Sequence, residues 1–284
     1  MSSQPEFDAL SRPAMLKWAG ASLLGILALC IVFLATIDHQ WPLVSTFDGR
    51  DSQHREDQCE ALHVDSIVLE PQNTWSNLGY LFAGLLVVYR SRTLRGIGVG
   101  ALMCVTGITS GLYHAVPVDR TLQTLDVASI YWLLLAMIGY GILSLEMHFH
   151  ARSREVLLEK LLIALALVAG AIVAVAGLLD STIAVLILVA GLLVLVAVGF
   201  FPPSRQITPL TYREITGYVL GMLMLGMFAA VCRLGDGDGR VLCDPHGPVQ
   251  FHALWHLFSA ALLLVAYDYF TRVADLPGER ILAD

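Results

Sequence analysis

Residues 250–271 read QFHALWHLFSAALLLVAYDYFT, a stretch of 22 residues in which apolar side chains predominate. The hydrocarbon core of a bilayer is about 30 Å thick, and a helix needs roughly 20 mostly apolar residues to cross it. The stretch also carries His252 and His256, four residues apart, near its beginning. It therefore predicts a membrane-spanning helix with two imidazoles on one face.

The same pattern recurs along the chain. Of the 284 residues, 56% are apolar and 14% are charged, whereas a soluble domain carries about 25% charge. Further apolar stretches bring the expected spans to eight. The sequence therefore predicts an all-α, polytopic membrane bundle. The predicted spans are 15–37, 73–90, 94–115, 122–145, 157–178, 181–201, 213–233 and 250–271.

Lysine and arginine indicate the orientation of the spans, because they concentrate in cytoplasmic loops. Eight spans place both termini on one face, and that face holds twelve of the seventeen Lys and Arg residues. We therefore expect a cytoplasmic N-terminal segment 1–14, a cytoplasmic tail 272–284 and a non-cytoplasmic loop 38–72. The net charge of −7 provides no basic surface for nucleic acid.

The five cysteines are too few for a disulfide framework. Cys59 and Cys243 fall in the two long non-cytoplasmic loops, an oxidising location in which they either pair or remain free thiols. Cys30 and Cys104 fall within spans and are expected to pack as small apolar side chains.

Polar side chains gather at one depth of the predicted bundle. The third span ends, and the second, fourth and eighth spans begin, on the non-cytoplasmic face. Ionisable groups inside a membrane are costly and usually functional, so we expect these side chains to line one cavity. They are Glu70, Asn73, Ser76, Asn77, Ser110, His114, Asp126, His252 and His256.

Three histidines in this group predict a zinc site. His114, His252 and His256 can supply three ligands and leave the fourth tetrahedral position for water, as in catalytic zinc sites. Bound zinc lowers the pKa of its water to about 7 and polarises a carbonyl group. A structural site would instead be closed by a fourth protein ligand, for which the loop residues His54, His63 and His246 are available.

Ser110 and Asp126 are the candidate catalytic residues. Asp126 is expected to act as a general base or to orient a ligand histidine, although an acid near a helix N-terminus is also favoured by the helix dipole. Ser110 is placed to donate to an oxyanion, or to bond back to a carbonyl of its own helix.

Acidic residues before the second span predict a different kind of metal site. Asp57, Glu60 and Glu70 offer hard oxygen ligands, which suit Ca²⁺ better than zinc. A solvated acidic loop explains the same residues equally well. The acidic and glycine-rich stretch from Asp236 to Gly239 begins like an EF-hand loop but lacks its later ligands, so we expect a turn there.

Taken together and in this order, these segments resemble the alkaline ceramidases, within the CREST group of seven-helix membrane hydrolases. The resemblance covers residues 56–272. The segments that carry it are Asp57-Gln-Cys59-Glu60, Glu70-x-x-Asn73-x-x-Ser76-Asn77, Gly107-x-x-Ser110-x-x-x-His114, Asp126 and His252-x-x-x-His256.

The resemblance implies a seven-helix hydrolase core over 73–271, preceded by an additional transmembrane anchor at 15–37. It implies that the three histidines bind Zn²⁺, that the serine and aspartate serve amide hydrolysis, and that the acidic segment holds Ca²⁺. It also implies a disulfide bridge. In the numbering of this chain these residues are His114, His252, His256, Ser110, Asp126, Asp57, Glu60, Glu70, Cys59 and Cys243.

The expected function is therefore a zinc-dependent amidase in the membrane. It would take ceramide or a related N-acyl lipid and release a fatty acid and a long-chain amine such as sphingosine, with its site toward the non-cytoplasmic face. The alternative is a seven-helix-type receptor or structural membrane protein whose zinc only links helices. A transporter is disfavoured, because the sequence shows no inverted repeat.

Overall fold

The computed structural model describes residues 12–38, 59–63, 66–117, 120–149, 210–237 and 239–274, together with 189, 191 and 192. Within these residues every regular element is a helix, which confirms the all-α prediction for this part of the chain. The predicted spans 157–178 and 181–201 lie outside the described residues, apart from those three positions, so the count of eight spans stays a prediction. Asp57 and His54 also lie outside them.

Seven helices make up the described part of the chain. In chain order they are α1 (Arg12–Asp38), α2 (Pro71–Ser76), α3 (Leu78–Arg90), α4 (Leu94–Ala115), α5 (Arg120–Phe149), α6 (Tyr212–Gly235) and α7 (Phe251–Val273).

Four helices are long and apolar enough to cross a membrane. They correspond to the predicted spans 94–115, 122–145, 213–233 and 250–271, and this supports a membrane protein. The helix α1 encloses the predicted anchor 15–37 and contains a shorter apolar stretch, Leu16–Leu29. The candidate membrane spans are Leu94–Ala115, Thr121–Ser144, Tyr212–Gly235 and Phe251–Val273.

The predicted span 73–90 is divided at Asn77 into α2 and α3. The Asn77 side chain donates from Nδ2 to the carbonyl of Asn73 at 2.9 Å, and the Ser76 hydroxyl donates to the same carbonyl at 2.8 Å. The Asn77 backbone N–H bonds to Thr74 instead, at 3.3 Å. Side chains thus replace the backbone hydrogen bond that a continuous helix would make to the Asn73 carbonyl. A new helix begins at Leu78.

Glycines allow α3 and α4 to approach closely. A Cβ atom on Gly84 would lie 2.6 Å from the carbonyl oxygen of Gly100, and one on Gly100 would lie 2.8 Å from the carbonyl oxygen of Gly84. Small residues at a helix crossing bring two backbones together, as is common in membrane bundles. The contact holds α4, whose last turn carries His114, against α3.

The helix α7 is the central element of the described bundle. It packs against α2, α3, α5 and α6, and its large side chains Tyr267, Tyr269 and Phe270 are fully buried. A Cβ on Gly141 of α5 would lie 2.6 Å from the Phe270 ring, so the absence of a side chain there makes room for that ring. Because α7 is surrounded by other helices, the two histidines at its beginning lie inside the protein.

Candidate metal centre

His114, His252 and His256 come together at one end of the bundle. Their exposed fractions are 1%, 4% and 1%. The ring centroids of His114 lie 4.9 Å from His252 and 5.0 Å from His256, and those of His252 and His256 are 4.7 Å apart. One nitrogen from each ring can be chosen so that all three lie within 4.8 Å of one another. This spacing is compatible with three bonds to one metal ion, since a Zn–N bond is about 2.0–2.1 Å long.

Glu70 supports the ring of His114. Its Oε2 lies 2.7 Å from Nδ1 of His114 and also accepts from Nδ2 of Asn73 at 3.2 Å. A carboxylate only accepts hydrogen bonds, so Nδ1 of His114 carries the hydrogen and Nε2 keeps its lone pair. Carboxylates that accept from the second ring nitrogen are typical partners of metal-binding histidines.

Ser76 supports the ring of His256. The Ser76 oxygen lies 2.8 Å from Nδ1 of His256, while its own hydrogen is donated to the carbonyl of Asn73. The serine therefore accepts from the imidazole, and Nε2 of His256 again keeps its lone pair. That Nε2 atom is buried and has no hydrogen-bond partner among the described residues, as expected of an atom that faces a metal.

Asp236 lies beside the third ring. Its Oδ2 is 3.4 Å from Nδ1 of His252, and the carboxylate is fully buried just after the last residue of α6. Burial raises the pKa of the Asp236 carboxyl, and the nearby charge of Arg233 acts in the opposite direction. Glu70 and Ser76 thus hydrogen-bond to Nδ1 of His114 and His256, whereas Asp236 lies near Nδ1 of His252 without a hydrogen bond to it.

The sequence interpretation missed this role of Asp236. A turn was predicted here, and the positive φ angles of Gly237 and Gly239, 118° and 72°, are consistent with one. The buried carboxylate beside His252 was not expected. The signal in the sequence is its position, because Asp236 follows the seventh predicted span at the same depth as the other polar residues.

Ser110 and Asp126 lie next to each other, close to the histidines. Both are buried, with exposed fractions of 2% and 7%. The Ser110 hydroxyl hydrogen-bonds to the Asp126 carboxylate. His114 interacts electrostatically with the same carboxylate. The other oxygen, Oδ1 of Asp126, has no hydrogen-bond partner within the described ranges. The pair can therefore hold or transfer a proton beside the candidate metal position.

Glu60 and Glu70, two of the predicted calcium ligands, are both buried and interact electrostatically. The two oxygens of Glu60 accept from the backbone N–H groups of Gln72 and Asn73 at 2.8 and 2.9 Å, which stabilises the beginning of α2. Burial raises the pKa of the Glu60 carboxyl, and these two N–H groups lower it. Since Asp57 is not described, calcium binding stays a prediction.

A disulfide bridge joins Cys59 and Cys243, with 5.4 Å between their Cα atoms. It links the residue before Glu60 to the loop between Asp236 and α7. The candidate loop ligands His63 and His246 are exposed on this side of the protein. Within the described residues, the group that can hold a metal contains three histidines and no fourth ligand.

Comparison with known protein families gives a match over most of the chain. The family model described as Ceramidase matches residues 52–277. The chain belongs to the Ceramidase family. Membership in the Ceramidase family supports a hydrolase that acts on amide bonds, and the match includes every residue of the candidate metal centre. The helix α1 precedes the matched region. A search of curated proteins gives no match for this chain.

Proposed function

We propose that the protein is a zinc-dependent intramembrane hydrolase that cleaves the amide bond of ceramide or a related N-acyl lipid. The products are a fatty acid and a long-chain amine such as sphingosine. The observation that carries the proposal is the set of three buried histidines beside the Ser110–Asp126 pair. Family membership supports the reaction class, and the donor set supports the metal.

Zinc fits the residues present. Among the described residues the candidate ligands are three imidazole nitrogens. Three histidines with an open fourth position are typical of catalytic zinc sites. The contacts at Nδ1 of His114 and His256 leave Nε2 of both rings available, and the unpartnered Nε2 of His256 agrees with this arrangement. When bound there, Zn²⁺ activates a water molecule and polarises the amide carbonyl.

Asp126 is the proposed general base. Its carboxylate takes a proton from the water that attacks the amide carbon, and later gives this proton to the leaving nitrogen as the carbon–nitrogen bond breaks. The proton on the amine therefore comes from the water, and the remaining oxygen and hydrogen end on the fatty acid. Burial of Asp126 limits competing exchange with bulk water.

Ser110 is the proposed hydrogen-bond donor to the amide oxygen. In the resting site its hydroxyl bonds to the Asp126 carboxylate. Once Asp126 is protonated, its carboxyl can donate to the Ser110 oxygen, and the serine hydrogen is then free to turn toward the substrate oxygen. The two residues thereby link proton uptake to stabilisation of the negative charge that develops on that oxygen.

The location of the site suits an amphiphilic substrate. The centre lies at the beginning of α7 and the end of α4, both candidate membrane spans. A substrate whose acyl chains stay in the bilayer avoids a cost of about 0.8 kcal/mol for each CH₂ group moved into water. The distribution of lysine and arginine supports cytoplasmic termini and a site toward the other face.

The test is zinc content and amide hydrolysis on the same purified preparations. Wild type is expected to hold about one zinc per chain by elemental analysis, whereas His114→Ala, His252→Ala and His256→Ala lose both zinc and activity. Ser110→Ala and Asp126→Asn are expected to retain zinc and to lose about 100-fold in turnover. Thr109→Val, a change one residue from Ser110, is the control. Full activity in a histidine variant would contradict the proposal.

Calcium binding by Asp57, Glu60 and Glu70 is a separate part of the proposal. It is supported by the two buried carboxylates in the described part of this set. Added Ca²⁺ is expected to raise the melting temperature of wild type by mass action, and to leave that of Glu60→Gln unchanged. An equal response of the two proteins would argue against this site.

A further inference from the structure

The groups beside the three histidines come from two segments of the chain. Glu70 and Ser76, which hydrogen-bond to two of the rings, lie immediately before α2 and at its last residue. Asp236, beside His252, lies in the loop that joins α6 to α7. The two segments are far apart in the sequence, so the surroundings of the three rings depend on how these segments meet.

The disulfide between Cys59 and Cys243 is the covalent link between the two segments. Cys59 precedes Glu60, whose two carboxylate oxygens accept from backbone N–H groups in the first turn of α2. Cys243 lies in the loop between α6 and α7. The backbone N–H of Ala61 also donates to the carbonyl of Pro245 at 2.9 Å, so the segments are hydrogen-bonded next to the bridge.

The Gln72 side chain is a second link, at the beginning of α2 and α7. Its Nε2 atom donates to the carbonyl of Gly247 at 3.2 Å, and its Oε1 atom accepts from the backbone N–H of Gln250 at 3.0 Å. Gln250 is the N-cap of α7, and its buried side chain donates to carbonyls of the same loop. The Cys59–Cys243 bridge and the Gln72 side chain together form a clamp between the two segments.

The clamp lies close along the chain to the groups that surround the rings. Gln72 lies between Glu70 and Ser76 in the sequence. Its partner Gln250 precedes His252 by two positions. Relative movement of the two segments therefore separates these groups from the rings. The apparent affinity for a metal falls in proportion to the fraction of molecules that hold the assembled arrangement.

We propose that the clamp makes the metal centre sensitive to redox conditions: reduction of the Cys59–Cys243 bridge lowers the affinity for zinc while the helices stay folded. The inference rests on the proposed function and adds a form of regulation to it. The packing of α7 on α3, α5 and α6 does not involve the bridge, so the bundle persists after reduction. The centre then reaches its full affinity only in an oxidising compartment, where such bridges form.

The reductant is a dithiol. One of its thiolates attacks a sulfur of the bridge, forms a mixed disulfide and releases the other cysteine as a thiolate, which takes up a proton. The second thiol of the reductant then displaces the remaining cysteine. The protein gains two electrons and two protons, and the reductant is oxidised to its own disulfide. Cys243 is partly exposed, so a small dithiol has access to the bridge.

The first test compares zinc affinity in the oxidised and the reduced protein. Full-length wild type is reduced with dithiothreitol, its thiols are blocked with iodoacetamide, and the reagents are removed, because free thiols bind zinc themselves. Competition with a chromophoric chelator is expected to show an affinity about tenfold or more below that of the oxidised protein. Wild type treated with iodoacetamide alone is the control. Equal affinities overturn the proposal.

The second test uses variants. Cys59→Ser with Cys243→Ser is expected to lower zinc affinity by the same factor as reduction, whereas Cys104→Ser, which changes a cysteine outside the bridge, should leave it unchanged. Gln72→Ala weakens the clamp without a change at either cysteine and is expected to lower zinc affinity by about threefold or more. An unchanged affinity in the double variant overturns the proposal. An unchanged affinity in Gln72→Ala alone removes the glutamine from the clamp.

Circular dichroism on the same samples separates a local effect from unfolding. The reduced protein is expected to retain its helix content, and loss of helix would overturn the proposal by showing that the bridge holds the whole fold. Redox-dependent zinc binding without hydrolysis of any N-acyl lipid supports the clamp and contradicts the proposed function. Hydrolysis with zinc binding that does not depend on the bridge contradicts the clamp alone. Absence of zinc binding in the oxidised protein contradicts both.

Discussion

The hydroxyl oxygen of Ser76 lies 2.8 Å from Nδ1 of His256, 180 residues further along the chain. Ser76 is the last residue of α2 and donates its own hydrogen to the Asn73 carbonyl. With that hydrogen in use, the serine accepts from the imidazole and fixes which ring nitrogen is free. The hydrogen bond of Ser76 to the backbone thus favours one tautomer of a histidine in the candidate metal centre.

Ser76→Ala should therefore weaken zinc binding. The change removes one of two acceptors at His256, the other being the Asn73 carbonyl, and keeps the ligand. Loss of such a partner typically costs 10–100-fold in metal affinity. Zinc affinity can be measured by competition with a chromophoric chelator. Ser66→Ala, an exposed serine in the preceding loop, is the control. Equal zinc affinity in the two variants would show that the contact does not orient the ring.

Asp236→Asn tests whether the carboxylate beside His252 contributes to zinc binding. The variant keeps the size of the side chain but removes the negative charge 3.4 Å from Nδ1 of His252. We expect zinc affinity to fall by about tenfold or more. The matched control is Asp244→Asn, in which an exposed aspartate of the same loop loses its charge. If both variants bind zinc like wild type, Asp236 has no orienting role.

Gly84→Ala is expected to destabilise the bundle, because its new Cβ would lie 2.6 Å from the Gly100 carbonyl oxygen and 2.7 Å from Cys104 Sγ. Forced separation of packed helices costs about 1–3 kcal/mol. Gly98→Ala is the comparison, since its Cβ would meet nothing within 4 Å. Thermal melting in detergent should therefore separate the two variants, with Gly84→Ala well below wild type and Gly98→Ala near it. Coincident melting curves would contradict the close helix contact.

The double change Cys59→Ser with Cys243→Ser should lower stability by about 2–5 kcal/mol, as removal of a native disulfide does in small secreted domains. Reduction of wild type is expected to give the same lowered melting temperature and to have no further effect on the double variant. Cys104→Ser, which changes a cysteine outside the bridge, should keep its sensitivity to reductant. A double variant as stable as wild type would show that the bridge does not stabilise the fold.

Much of the described fold could be predicted from the sequence. Apolar length located the four candidate spans to within a few residues, because a bilayer sets a minimum length for a helix that crosses it. The polar residues at one depth also predicted that the three histidines would meet. Both predictions rest on the free-energy cost of placing polar groups in lipid. This cost depends on the type of each residue, so it can be estimated without knowing which residues contact each other in the fold.

The details of the site could not be predicted in the same way. The break at Asn77 depends on side chains that compete for the Asn73 carbonyl, and apolar periodicity does not record that competition. The role of Asp236 depends on how the end of α6 lies against α7, a contact between helices. Each of these features depends on tertiary packing. The hydropathy pattern of the sequence predicts only helix positions and the depth of each residue in the membrane.

The bond between Cys59 and Cys243, which are 184 positions apart in the sequence, also makes this part of the chain a closed covalent ring. A single proteolytic cut anywhere inside that ring leaves one molecule, so the two fragments separate on a gel only after reduction. The cut ends are free to move apart, while the segment that enters α2 and the loop that enters α7 remain attached to each other. The covalent connection between these two segments, which lie beside the candidate metal centre, therefore does not require an unbroken polypeptide between the two cysteines.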